Sequence, residues 1–239
     1  MKNLTARYSI TQFTYWAASS GAASFATTYL LNKGLSFGIV GTLLAAAGLL
    51  SCLTQPFLAS MADKAKRFVL TKMLLIMSAL CCICFSVQLI PQFPLLLTGV
   101  FYMIGIWSSD AMHPLLNALS VAYQQAGFSI NSGASRGIGS AATAISSLVL
   151  GFVIAQFGAT WMILFLLGFR LVCMIVIAGY PKIQKETAVS QDRKGSCSIP
   201  YFFSSYRWYC VSLLGILFLG MYHAMTENYL IAIMTALGG

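Results

Sequence analysis

Along the chain, long apolar runs alternate with short polar joints, and the runs lack the in–out alternation of a half-buried strand. A helix that crosses a bilayer needs about 20 mostly apolar residues. By that measure the pattern predicts seven crossing helices, at roughly 8–31, 37–61, 68–90, 95–122, 132–157, 161–180 and 208–237. Most joints are short and polar or rich in helix breakers: "NKGLS", "ADKAKR", "PQFP", "YQQAGFSIN" and "GAT". The exception is 181–207, a long charged stretch that separates six predicted helices from the seventh. The predicted organisation is a six-helix bundle over 1–180, a loop over 181–207 and one further helix over 208–239.

Composition turns this pattern into a fold class. The chain is 59% hydrophobic and 8% charged, with a mean hydropathy of +0.82. Soluble domains carry about 25% charged residues. Such a chain is an integral membrane protein, and with no barrel-like alternation its backbone must be satisfied inside helices. The expected class is therefore all-α. Helices two and five, "GIVGTLLAAAGLLSCLTQPF" and "GIGSAATAISSLVLGFVIAQF", share a glycine-rich start and cross in opposite senses. Each is the middle member of a three-helix group, which predicts an inverted 3+3 repeat of the transporter kind.

The net charge of +9 would suggest nucleic acid in a soluble protein. Here its placement reports orientation, and no nucleic-acid partner is expected. With the N-terminus in the cytoplasm, that side holds Lys2, Arg7, Lys64, Lys66, Arg67, Lys72 and the basic residues of 181–207. The opposite side holds Lys33 alone, so the positive-inside rule favours this orientation. Seven helices then put the C-terminus outside. The "CCIC" at 81–84 lies in an apolar run with no nearby His, and cysteine there packs as a small hydrophobe. No metal and no cofactor is expected.

Polar residues inside apolar helices are costly and face a bundle interior or a wet cavity. In the fourth helix, Asp110, His113 or Pro114, and Asn117 recur at helical spacing and make one polar face. In the fifth, Arg136 and Thr143 share a face, with Ser135 beside them. Arg170 in the sixth is equally suited to an ion pair with an acid on a neighbouring helix and to a ligand role. The seventh brings His223 and Glu227, which with Asp110 are the candidates for carrying a proton. Trp16 and Tyr15, in the first helix, offer aromatic faces for a ring-bearing solute or for helix packing.

Three stretches carry a family resemblance. "TQPFLASMADKAKR" (54–67) is similar to a Gln-Pro followed by the loop signature of the major facilitator superfamily, with Asp63, Lys64 and Arg67 at matching positions. Ala59 and Lys66 stand where that loop has glycines. "HPLLNALS" with "NSGASRGIGSAA" resembles the fourth and fifth helices of the oligosaccharide and nucleoside proton symporter branch, to which lactose permease belongs. "ENYLIAIMTALGG" (227–239) resembles the seventh helix. The resemblance implies that Arg136 takes the place of the substrate-binding arginine. Asn117 stands where lactose permease has the partner glutamate, and Thr143 where it stacks a tryptophan on the sugar, so galactoside recognition is not expected. It implies a secondary carrier in a bacterial plasma membrane, not an enzyme. Such a carrier moves a small polar solute together with protons across the lipid bilayer.

Two other readings stand beside it. A carrier of this kind has twelve helices, so the chain reads as truncated, either a non-transporting fragment or a half that needs a separate C-terminal half. "GASR" also resembles the motif of intramembrane serine proteases, with Ser135 as nucleophile and His223 as base.

Overall fold

The computed structural model describes residues 4–64, 67–181 and 207–237, and all regular structure among them is helical. The helices are α1 (Leu4–Ser24), α2 (Ala26–Asn32), α3 (Phe37–Lys64), α4 (Arg67–Ser86), α5 (Leu95–Gln125), α6 (Ser132–Phe157), α7 (Thr160–Ala178) and α8 (Arg207–Ala236). A 3-10 turn, Val87–Leu89, follows α4. The chain divides into two compact units, Met1–Ile183 and Gln184–Gly239. The first holds α1 to α7; α8 belongs to the second.

Among the described residues, five helical stretches are long and apolar enough to cross a bilayer: Phe37–Met61, Leu70–Leu89, Leu95–Gln125, Ser132–Phe157 and Thr160–Ala178. They correspond to predicted helices two to six. The first departs from expectation. Residues 8–31 are not one continuous helix: Phe25 adopts φ −107° and ψ 8°, and the chain restarts as α2. Helix α1 has the length, since 21 residues rise about 31 Å, but too many polar side chains. Thr11, Gln12, Thr14 and Ser20 are all buried, so this helix takes its polarity into the bundle rather than to lipid. Helix α8 runs over 30 residues, Arg207–Ala236, and among its described residues the apolar stretch is Val211–His223.

Helix α1 is the hub of the first unit, packed against α6 and α7, while α5 packs against α3 and α4, and α4 also meets α7. The core joins Tyr8 and Tyr15 of α1 to Leu70 and Leu74 of α4, Met112, Leu115, Leu116 and Leu119 of α5, and Cys173 and Ile177 of α7. Small residues set how closely the helices approach. A Cβ on Gly139 of α6 would stand 2.5 Å from Cδ1 of Trp16, and one on Gly105 of α5 would stand 2.8 Å from the Phe85 ring. Such side-chain-free positions are how membrane helices gain contact without a hydrophobic driving force between them. Ser9 and Ser135 add a hydrogen bond across the α1–α6 seam at 2.9 Å.

Candidate functional site

The site begins with the way α1 holds Trp16. Tyr8 donates its hydroxyl proton to the Leu116 carbonyl (3.3 Å), Gln12 donates its amide N–H to the Tyr8 hydroxyl (2.7 Å), and Trp16 donates to the Gln12 carbonyl oxygen (3.0 Å). These residues recur at four-residue intervals, so one stripe of α1 fixes the indole on its final turn. The indole lies over Gly139, which has no side chain to push it away.

Against this aromatic corner stands His113 of α5. Its ring stacks with Tyr15 (centroids 6.5 Å apart, planes at 16°) and meets Trp16 edge-on (5.5 Å, 71°). From α6 comes Arg136. The Asn131 side chain accepts a bond from the Ala134 amide (3.0 Å) and caps this helix. That cap fixes where α6 begins, and Arg136 follows one turn later. Arg136 is exposed and lies three residues before Gly139, the position over which the indole sits. Three helices contribute to this corner: α1 through Trp16, α5 through His113, and α6 through Gly139, about one turn from Arg136. A half-buried Asn117 lies one turn along α5 from His113. Thr143 is half-buried too, with its hydroxyl turned back to the Gly139 carbonyl at 3.3 Å.

Asp110 lies on the same face of α5 but engages a different helix. Ser51 of α3 donates its hydroxyl proton to Asp110 Oδ2 at 3.1 Å. A second tie between these helices runs from Trp107 Nε1 to the Thr54 hydroxyl at 2.8 Å. Ser51 and Gln12 were not singled out from the sequence. The polar spacing of α1 carried the signal for Gln12. Nothing in the pattern of α3 marked Ser51.

Arg170 lies inside the bundle. It is fully buried, and its guanidinium donates to the hydroxyls of Ser109 (2.6 Å) and Ser19 (3.3 Å) and to the Met112 sulfur (3.2 Å). It also lies over the Tyr15 ring at 5.3 Å. These described hydrogen bonds of Arg170 go to hydroxyls and sulfur, beside an aromatic face. With no exposure, it has no open side for a solute. Its Nε has no hydrogen-bond partner.

The protease reading is corrected by the geometry. Ser135 is fully buried, and its hydroxyl is shared between the Asn131 carbonyl and the Ser9 hydroxyl, each at 2.9 Å. No peptide carbonyl can reach it. His223 is exposed on α8, in the other compact unit. The side chains of Asp63, Lys64, Arg67 and Glu227 lie outside the described residues.

One family model, described as the Major Facilitator Superfamily, matches residues 8–238. The chain belongs to that superfamily. Neither the search of curated proteins nor that of solved structures found a match. Major facilitator proteins are transporters rather than enzymes, and they move small solutes across the bilayer. As a member, this chain is an integral multi-pass membrane protein of the transport class. In major facilitator transporters the substrate site lies near the midplane, between two six-helix halves that rock against each other.

Proposed function

We propose that this protein is a proton-coupled carrier for a small polar solute of the sugar or nucleoside class, in the oligosaccharide and nucleoside symporter branch. The observation that carries the reading is the aromatic corner of Trp16 and His113, closed by Gly139 about one turn along α6 from Arg136. An aromatic corner takes the flat or apolar face of a ring, and the guanidinium fork donates to its hydroxyls or carbonyls. Asn117 and Thr143 add polar contacts beside the same corner. Asp110, tied to the α3 hydroxyl of Ser51, carries the proton, and His223 and Glu227 are further candidates on α8. The segment 1–180 is the solute-binding bundle, 181–207 its cytoplasmic loop and 208–239 the start of the opposing half. Asp63, Lys64 and Arg67 gate the cytoplasmic end. The N-terminus faces the cytoplasm of a bacterium.

The test uses cells that express the gene from its native locus. A panel of sugars and nucleosides is added singly to de-energised cells, and alkalinisation of the medium identifies the solute that enters with protons. With that solute, Arg136→Lys lowers uptake by about tenfold or more at unchanged membrane level, because a point-charge ammonium cannot replace the bidentate fork. Uptake by Arg136→Lys equal to that of the unaltered protein removes Arg136 from the site.

A further inference from the structure

A second feature lies at the opposite end of the bundle from the α3–α4 turn, where the α2–α3 and α4–α5 connections meet. A cavity of about 220 Å³ opens there, with Lys33, Gln88 and Thr98 among its polar lining and Ile90, Phe93 and Leu95 among its apolar lining. Gln88 is 2% exposed; its Nε2 donates to the Thr98 carbonyl at 3.0 Å, while its Oε1 has no hydrogen-bond partner. That oxygen is a buried acceptor waiting for a donor.

Positive potential converges on the same cavity. The ammonium of Lys33 stands 5.5 Å above the Tyr29 ring, which fixes it near the opening. Helix α5 starts at the cavity wall with Pro94 as its cap and no side-chain cap hydrogen bond. Its first intrahelical bond runs from the Thr98 amide to the Pro94 carbonyl, so the amides of Leu95, Leu96 and Leu97 are not used by the helix. The positive end of a 31-residue helix therefore points here. The chain's five acids are Asp63, Asp110, Glu186, Asp192 and Glu227, and none falls in the segments that build this end. Of the lining residues Ile90 and Leu95 are exposed apolar side chains, and Leu96, next along α5, is exposed too.

We propose that this cavity binds the headgroup of an anionic, hydroxyl-bearing glycerophospholipid, of which phosphatidylglycerol is the simplest. The phosphate sits between Lys33 and the start of α5, a headgroup hydroxyl donates to Gln88 Oε1, and the acyl chains lie on Ile90, Leu95 and Leu96. A zwitterionic ethanolamine headgroup also carries a donor for Gln88. It fits less well, because its ammonium would share the cavity with Lys33 and a helix N-terminus of the same sign. The site is independent of the solute corner and does not rest on the transport reading.

The full chain, reconstituted in mixed vesicles of phosphatidylcholine and phosphatidylglycerol and then released for native mass spectrometry, tests this. Phosphatidylglycerol is retained in preference to phosphatidylcholine, and Lys33→Gln lowers that retention about fivefold, the factor for one lysine facing anionic lipid. Gln88→Leu lowers it as well. Because Lys33 is exposed, Lys33→Gln tests the site even if Gln88→Leu fails to fold. Equal retention of the two lipids, or unchanged retention in Lys33→Gln, overturns the proposal. Displacement of the lipid by free glycerol 3-phosphate also overturns it, by making the site one for a soluble phosphate.

Discussion

Helix α1 buries Thr11, Gln12, Thr14 and Ser20, whereas α3 turns Leu49, Leu53 and Phe57 outward. In a soluble protein this would be an inside-out arrangement. Here it follows from the solvent. Lipid tails are as apolar as leucine, so no hydrophobic force draws Leu53 inward. A hydroxyl or amide left in hydrocarbon, by contrast, has nothing to bond with. Helix α1 therefore becomes the hub: its Tyr8–Gln12–Trp16 chain and its contacts with α6 and α7 satisfy every turn. Helix α3 is held by fewer polar ties, such as Ser51 to Asp110 and Trp107 to Thr54. Burial in this bundle follows polarity and close packing rather than hydrophobicity.

The contrast breaks if leucines in and out of the bundle respond alike. Leu116 of α5 is fully buried in the core that α1 organises, while Leu53 of α3 is 76% exposed. Leu116→Ala leaves a cavity that neighbours fill only in part, at a cost of about 2–5 kcal/mol. Leu53→Ala costs under about 0.5 kcal/mol, as for other exposed positions away from special features. Unfolding of the two variants in mixed micelles measures the difference directly. Comparable losses would mean that the outward face of α3 is not lipid-facing in the working protein.

The same physics explains what the sequence could and could not tell. Long apolar runs marked helices two to six to within a few residues, because a membrane helix must be both long and apolar. The first helix was the exception. Its many small and polar residues hid the break at Phe25, which depends on packing that a hydropathy pattern does not carry. Polarity singled out Asp110, His113 and Arg136 as candidates, since a polar or charged group in an apolar helix stands out. Partners were another matter. Periodicity gives the face of one helix, not the helix that meets it, so the pairing of Asp110 with Ser51 was invisible. For the same reason Arg170 was assigned an acid or a ligand, where the structure surrounds it with Ser19, Ser109, Met112 and Tyr15.

A change smaller than a leucine truncation probes the hub itself. Gly139→Ala places a methyl where Trp16 already stands, at a distance no relaxed contact allows. Overpacking of this kind costs about 1–3 kcal/mol. Gly137, two residues before it and on the opposite side of α6, has open space at the same test, so Gly137→Ala leaves stability unchanged or raises it slightly. Because the methyl also moves the indole away from His113, Gly139→Ala lowers solute uptake more than its loss of stability accounts for. Normal uptake with the expected loss of stability would mean that Trp16 is packing alone.

The smallest effect concerns the hydrogen bonds that join α1 to its neighbours. Ser9 and Ser135 share one at 2.9 Å, and Ser135 also returns its hydroxyl to the Asn131 carbonyl at 2.9 Å. A hydroxyl between two acceptors can donate to only one at a time. When Ser9 is removed, Ser135 keeps its intrahelical partner, so little is left unsatisfied. A double-mutant cycle with Ser9→Ala and Ser135→Ala therefore gives a coupling of about 0.6 kcal/mol, the usual size for interhelical hydrogen bonds in a bilayer. A coupling well above that would show that polar bonds across the seam hold α1 to α6. The expected small value leaves that task to the close approach at Gly139, where the seam has no side chain between Trp16 and the α6 backbone.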